Sequence, residues 1–277
     1  MPPKKKKEDS SKLPDKPINF YERIPREFLT ETENPNYHLH NLKLPFRMAI
    51  VAPSGSGKTN FLINLIHLFS QGRGTFPDIH IITRNKSEPL YEWLQTQSDQ
   101  IHIKEGIENL PQLDKFDKDF NHLVVLDDLV LTKDQSRIEQ YYIRARKLNV
   151  SVIYISQSYF RIPKIIRQNL TYLILLKLSG ERELKLILSE GGLGLDRNQL
   201  LSLYNYAVSE KFSALLIDYE APIDKKYRKN FLEYLSVRND NPVRNDNPVR
   251  NNNPVRNNNQ VRNNNQLRNN NPETDHP

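Results

Sequence analysis

The sequence predicts an α/β protein in which a mainly parallel sheet is flanked by helices and the two ends form basic, unstructured tails. Three observations carry this. Short runs at Met48–Ala52, Ile79–Thr83, Leu123–Asp127, Val150–Ser156 and Tyr172–Lys177 are rich in β-branched residues and mostly apolar throughout rather than alternating, as expected of strands covered on both faces. Helical stretches at Lys58–Phe69, Gln135–Leu148 and Glu181–Ser189 fall between several of these runs. The ends differ sharply in composition from this middle.

Residues 1–17 hold six Lys against Glu8, Asp9 and Asp15, a net of +3. They read as a solvated basic arm, and "PPKKKK" at Pro2 to Lys7 also fits a nuclear import signal. Without an apolar stretch the arm is no secretory signal, and no run approaches the ~20 apolar residues of a membrane helix. With no cysteine in the 277 residues, disulfides and thiolate metal sites are excluded. A hydrophobic content of 37% supports a sizeable core in residues 18–236, which carry +2 of the total +7. Beyond Gly191 the pattern predicts a helix at Asp196–Ala207, a strand at Phe212–Ile217 and a closing helix at Asp224–Leu235. Residues 237–277 repeat with period six (VRNDNP, VRNNNP, VRNNNQ) and hold a net of +2. One apolar residue in six cannot offset ordering entropy, so this tail is expected to be disordered. Basicity concentrated at both ends favours an anionic polymer as partner.

The first strand runs into "VAPSGSGKT" at Val51 to Thr59, and the predicted helix follows at once. In a loop of Ala52, Pro53, Ser54, Gly55, Ser56 and Gly57, the glycines let successive backbone N–H groups curl inward around a phosphate. Lys58 then reaches the β- and γ-phosphates of ATP, and the Thr59 hydroxyl ligates Mg²⁺. The pattern departs from G-x-x-x-x-G-K-[ST] at its first glycine, here Ala52. "NHLVVLDDLVL" supplies the acids: a buried strand ends in Asp127, which holds the metal's water shell, and Asp128, which polarises the attacking water. "VSVIYISQSYF" ends a third strand in Gln157, placed to sense the γ-phosphate. "TRNKSE" at Thr83 to Glu88 precedes the acidic strand and is not read as a guanine site. "HLH" at His38 to His40 lacks a third ligand and, like the other scattered histidines, reads as solvated loop.

The stretch "RARKLNVSVIYISQSYFRIPKIIRQNLTYLILLKLS" resembles the FtsK/HerA superfamily, and within it the genome-packaging ATPases of large eukaryotic DNA viruses, of poxvirus and virophage type. The likeness spans residues 44–190; the Asp127–Asp128 pair and Ala52 both suit it. It implies a RecA-like P-loop NTPase fold with the Gln157 strand between those of Lys58 and Asp127. It also implies a homo-oligomeric ring, usually a hexamer, with double-stranded DNA in its channel. An Arg from one subunit would complete the neighbour's site. Arg146 matches that residue, with Arg144 the alternative, although Ala145-Arg146-Lys147 stands where the family often has Gly-Arg-His. Arg161, Lys164 and Arg167 either face DNA or form a solvated basic turn. The implied activity is ATP hydrolysis that drives viral DNA into a preformed capsid at its vertex, in the host cytoplasm or viral factory. A plasmid or conjugative translocase, and a P-loop nucleoside or polynucleotide kinase, remain as alternatives.

Overall fold

The computed structural model describes residues 17–25, 33–129, 135–190, 193–238 and 241–244. The Lys4–Lys7 run and the tail beyond Arg244 lie outside the described residues. A short helix, α1 (Tyr37–His40), precedes β1 (Arg47–Val51), and α2 (Lys58–Phe69) follows. Next come β2 (Asp78–Thr83), α3 (Pro89–Gln95), β3 (Ile101–Glu105) and β4 (His122–Asp127). The chain continues with α4 (Ser136–Arg144), a 3-10 turn at Ala145–Leu148, β5 (Val150–Ser156), α5 (Lys164–Gln168) and β6 (Tyr172–Leu175). Then α6 (Arg182–Ser189) and α7 (Arg197–Ala207) lead into β7 (Leu215–Asp218), β8 (Tyr227–Lys229), β9 (Glu233–Arg238) and β10 (Asn241–Arg244).

The strands form one sheet in the order β10-β9-β8-β7-β6-β1-β5-β4-β2-β3. From β6 to β3 every pair is parallel, and from β7 to β10 every pair is antiparallel. The expected insertion is present: β5 pairs with β1 on one side and with β4 on the other. All seven residues of β5 are buried, which accounts for its uninterrupted apolar character. Its side chains divide by the period-two rule. Val152 and Tyr154 enter the layer shared with α4, α6 and α7, while Ile153 and Ile155 enter the layer of α2. Asp196 caps α7 in a reciprocal box with Gln199.

Two expectations about the C-terminal part are corrected. Asp224–Leu235 is not a helix: β8 and β9 form an antiparallel hairpin there, turning at Asn230 with φ 57°. Tyr227, Phe231 and Leu235 recur every fourth residue and so imitate a helical stripe. The strand pattern is hidden because charged side chains go inward. Arg228 is 1% exposed, donates to the carbonyls of His40, Asn41 and Phe231, and stands 3.5 Å from Asp218. The boundary at residue 237 also falls inside β9, and β9 and β10 carry the sheet into the first two hexapeptide repeats.

Candidate functional site

β1, β5 and β4 end at one edge of the sheet, and the three motifs meet there. The loop after β1 is tied to both neighbours: Ala52 N–H donates to Ser156 O at 3.2 Å, and Leu176 N–H donates to Val51 O at 3.2 Å. Gly55 (φ 75°) and Gly57 (φ 90°) take left-handed conformations that turn the chain into α2. Gly57 caps α2 without a side-chain hydrogen bond, so the first-turn amides keep their donors and the positive end of the helix faces the loop. Lys58 Nζ donates to Pro53 O at 2.9 Å, which holds the ammonium over the loop.

Asp127 is 8% exposed, and its Oδ2 accepts from Tyr91 Oη at 2.8 Å and from Thr83 Oγ1 at 3.3 Å. Burial pushes its carboxyl up to about 6; the Tyr91 hydrogen bond and Lys58 oppose this, while Glu88 and Asp128 add to it. Burial lowers the Lys58 pKa, against the pull of Asp127, Asp128 and Glu88. Asp128 takes φ 53°, a conformation Asp tolerates, and its Oδ2 accepts from Gln157 Nε2 at 3.2 Å. The ammonium, the acid pair and the glutamine therefore stand together at one end of the central strands.

Two further side chains belong to this cluster and were not among the expected site residues. Glu88 Oε2 accepts from Thr59 Oγ1 at 3.2 Å, and Tyr91, deeply buried, bridges towards Thr59 and Asp127. Glu88 lies in "TRNKSE", and Pro89 at the first position of α3 was the available sign that a helix starts there. Three carboxylates thus face one ammonium, and oxygen donors with surplus negative charge fit a hard divalent cation. Among the described residues no group of three His, Asp or Glu side chains is arranged to hold a metal ion.

The family model described as Poxvirus A32 protein matches residues 36–221. The chain belongs to that family. Among curated relatives, the DNA packaging protein OPG160 of Variola virus is 32% identical over 149 residues, covering 47% of this chain and 53% of the relative. The protein of the same name from Vaccinia virus (strain Copenhagen) is 32% identical over 146 residues, with the same coverage. The chain thus spans about half the length of the curated relatives it matches. Among solved structures, the genome packaging NTPase B204 of Sulfolobus turreted icosahedral virus 2 in complex with ATP-gammaS aligns with a TM-score of 0.48 at 15% identity, covering 67% of this chain and 97% of that one.

Other expected residues of this A32-family chain lie elsewhere. Arg146 is exposed in the turn before β5 and belongs to the opposite edge of the sheet. Burial and then the Arg146 charge lower the pKa of Arg47, the first residue of β1, which marks the same edge. The seven-residue β5 puts roughly 20 Å between Arg146 and Gln157. Arg144 ends α4, also exposed. Arg161 and Lys164 are exposed, but Arg167 is not a free cation. It grips Glu190 through Nε and Nη2, the latter at 2.6 Å, and its guanidinium lies 5.2 Å over the Tyr159 ring. The histidine reading also needs correction: His40 is fully buried against Phe69, and His122 is 5% exposed. No helix among the described residues is long and apolar enough to cross a membrane.

Proposed function

We propose that this chain is an ATP-hydrolysing translocase that packages viral double-stranded DNA into a preformed capsid. The observation that carries this reading is the gathering of Lys58, Thr59, Asp127, Asp128 and Gln157 at one edge of the sheet, in a family whose variola and vaccinia members are named DNA packaging proteins. The amides of Ala52–Gly57 and the start of α2 cradle the phosphates, and Lys58 bonds the β- and γ-phosphoryl oxygens. Thr59 and Asp127 would hold Mg²⁺, directly or through its water shell, and the ion would supply charge neutralisation at those oxygens. Asp128 takes the proton of the attacking water, and Gln157, already hydrogen-bonded to Asp128, reports the γ-phosphate to the loop that follows β5.

Arg146 stands too far from its own cradle to serve it and acts on the neighbouring subunit, in a ring of six with DNA in the channel. Arg161 and Lys164 follow Gln157 in the chain and contact the DNA backbone, and the basic ends add affinity or dock the capsid vertex in the cytoplasmic viral factory.

Phosphate release from Mg·ATP, with and without linear duplex DNA, tests the reading on samples of known oligomer size. The wild type is expected to respond to DNA, and Lys58→Ala to lose at least ~100-fold in turnover, the size of effect seen when one stabilising group is removed from a charged transition state. Equal turnover in the two proteins would refute the assignment, and phosphate appearing on a nucleoside or DNA end would make it a kinase.

A further inference from the structure

The phosphate loop has two unlike flanks. On the side of β5 and β4 stand the acids. On the side of β6 and β7 lies a cavity of ≈430 Å³, lined in part by Pro53 and Ser56 of the loop, Leu176 and Leu178 after β6, and Val208 and Phe212 between α7 and β7. A triphosphate whose last phosphate meets Asp127 and Asp128 extends its other end away from them, towards this cavity. The volume falls in the range of small-molecule sites, about 300–1,000 Å³.

Phe212 is the unusual residue here. It is 44% exposed, so core burial does not account for its position. Its φ of 67° is a left-handed conformation that a bulky aromatic residue rarely adopts. Strain of this kind persists only where the surroundings over-determine it. They do so here: Glu210 is paired with Lys229 of β8 at 2.6 Å, Ser213 Oγ donates to Glu210 O, and Ala214 N–H donates to Asn230 Oδ1. The result presses the ring against the phosphate loop, so that a Cβ at Gly57 would collide with Phe212 Cδ1. Lys211, which also lines the cavity, holds its ammonium 4.9 Å over the ring, a cation–π contact on the cavity side that a stacking base would replace.

We infer that this cavity holds the nucleoside of the bound triphosphate, with Phe212 as the platform on which its base stacks. The inference rests on the phosphate reading of the loop and adds to it a base site formed by the α7–β7 connection. The β8–β9 hairpin, through Lys229 and Asn230, sets the position of that platform.

Titration of the full chain in Mg²⁺ with a non-hydrolysable ATP analogue, and separately with inorganic tripolyphosphate, tests base and phosphate recognition apart. Loss of one base stack is expected to weaken the analogue about ten- to a hundredfold in Phe212→Ala while leaving tripolyphosphate unchanged. Phe212→Trp keeps a stacking face and is expected to restore the analogue to within a few-fold. Lys58→Ala is expected to lose both ligands, which reports on the loop alone. The base site is refuted if Phe212→Ala leaves the analogue unchanged or weakens both ligands equally, since the ring would then act on the loop rather than the base. A wild type that binds neither ligand would remove the phosphate reading and this one with it.

Discussion

Asp127 stands under conflicting demands. Its carboxylate is buried and has Glu88 and Asp128 nearby, so its pKa rises to about 6 and the ionised form present at pH 7.5 opposes folding. A raised carboxyl pKa makes the fold most favourable below the unfolded pKa and less so as pH climbs through 6. Asp127→Asn removes the charge while keeping an acceptor for Tyr91. In nucleotide-free, metal-chelated protein at pH 7.5 it is expected to raise the melting temperature, at about 2–4 °C per kcal/mol regained on a scale of about 1–3 kcal/mol. The same variant is expected to lose hydrolysis. A melting temperature below wild type would show that the carboxylate is needed for the fold rather than tolerated for the chemistry. Asp128, half-buried and hydrogen-bonded to Gln157, has a different task. Asp128→Asn is expected to lower kcat about a hundred- to ten-thousandfold with analogue affinity unchanged, as removal of a general base does. An equal loss of affinity would argue instead for a binding role.

At the scale of elements, the stability of the N-terminal edge depends on a neutral histidine. His40 closes α1 fully buried, and its Nδ1 accepts the Leu42 N–H at 3.0 Å. Protonation would set two donors against each other, and burial, then Arg228 and His38, lower its pKa to about 4. A depressed base binds fewer protons in the native state, so stability is complete above about 6.5 and is lost as pH falls towards 4. By pH 5 the loss reaches about 2 kcal/mol at most. Urea midpoints at pH 7 and pH 5 read it, with His40→Gln expected to flatten the difference; an unchanged pH response would refute the assignment.

The elements best read from sequence were those whose signal is local. The continuous apolar runs of β1, β4 and β5 identified buried strands, so the placement of Lys58, Asp127, Asp128 and Gln157 at one end of those strands was legible in the sequence. Glu88 and Tyr91 were not, because their role comes from α3 folding back over Thr59 and Asp127, a contact no spacing encodes. The β8–β9 hairpin was misread for a related reason. Arg228 and Lys229 are buried through partners far away in the chain, Asp218, His40 and Glu210, so their charge reads as surface when viewed alone.

At the scale of the whole molecule, the sheet separates the cradle edge from the Arg146 edge, and this separation is what makes a solitary subunit incomplete in the proposed ring. It has a direct consequence for mixed assemblies. Arg146→Ala and Lys58→Ala are each expected to be inactive in homo-oligomers. Mixed together they recover part of the turnover, because a Lys58→Ala subunit still lends its arginine to an intact cradle next door. No recovery on mixing, in assemblies shown to exchange subunits, would place Arg146 outside the site.

The central claim is that Lys58, Thr59, Asp127 and Asp128 surround one magnesium-bound triphosphate. A structure of the chain with Mg²⁺ and a non-hydrolysable ATP analogue tests it most directly. The expected result puts the γ-phosphate against Lys58 Nζ, the ion between Thr59 and Asp127, and a water between Asp128 and that phosphate. A nucleotide bound away from the Ala52–Gly57 loop, or a metal ion that Asp127 reaches neither directly nor through a water of its shell, would contradict it.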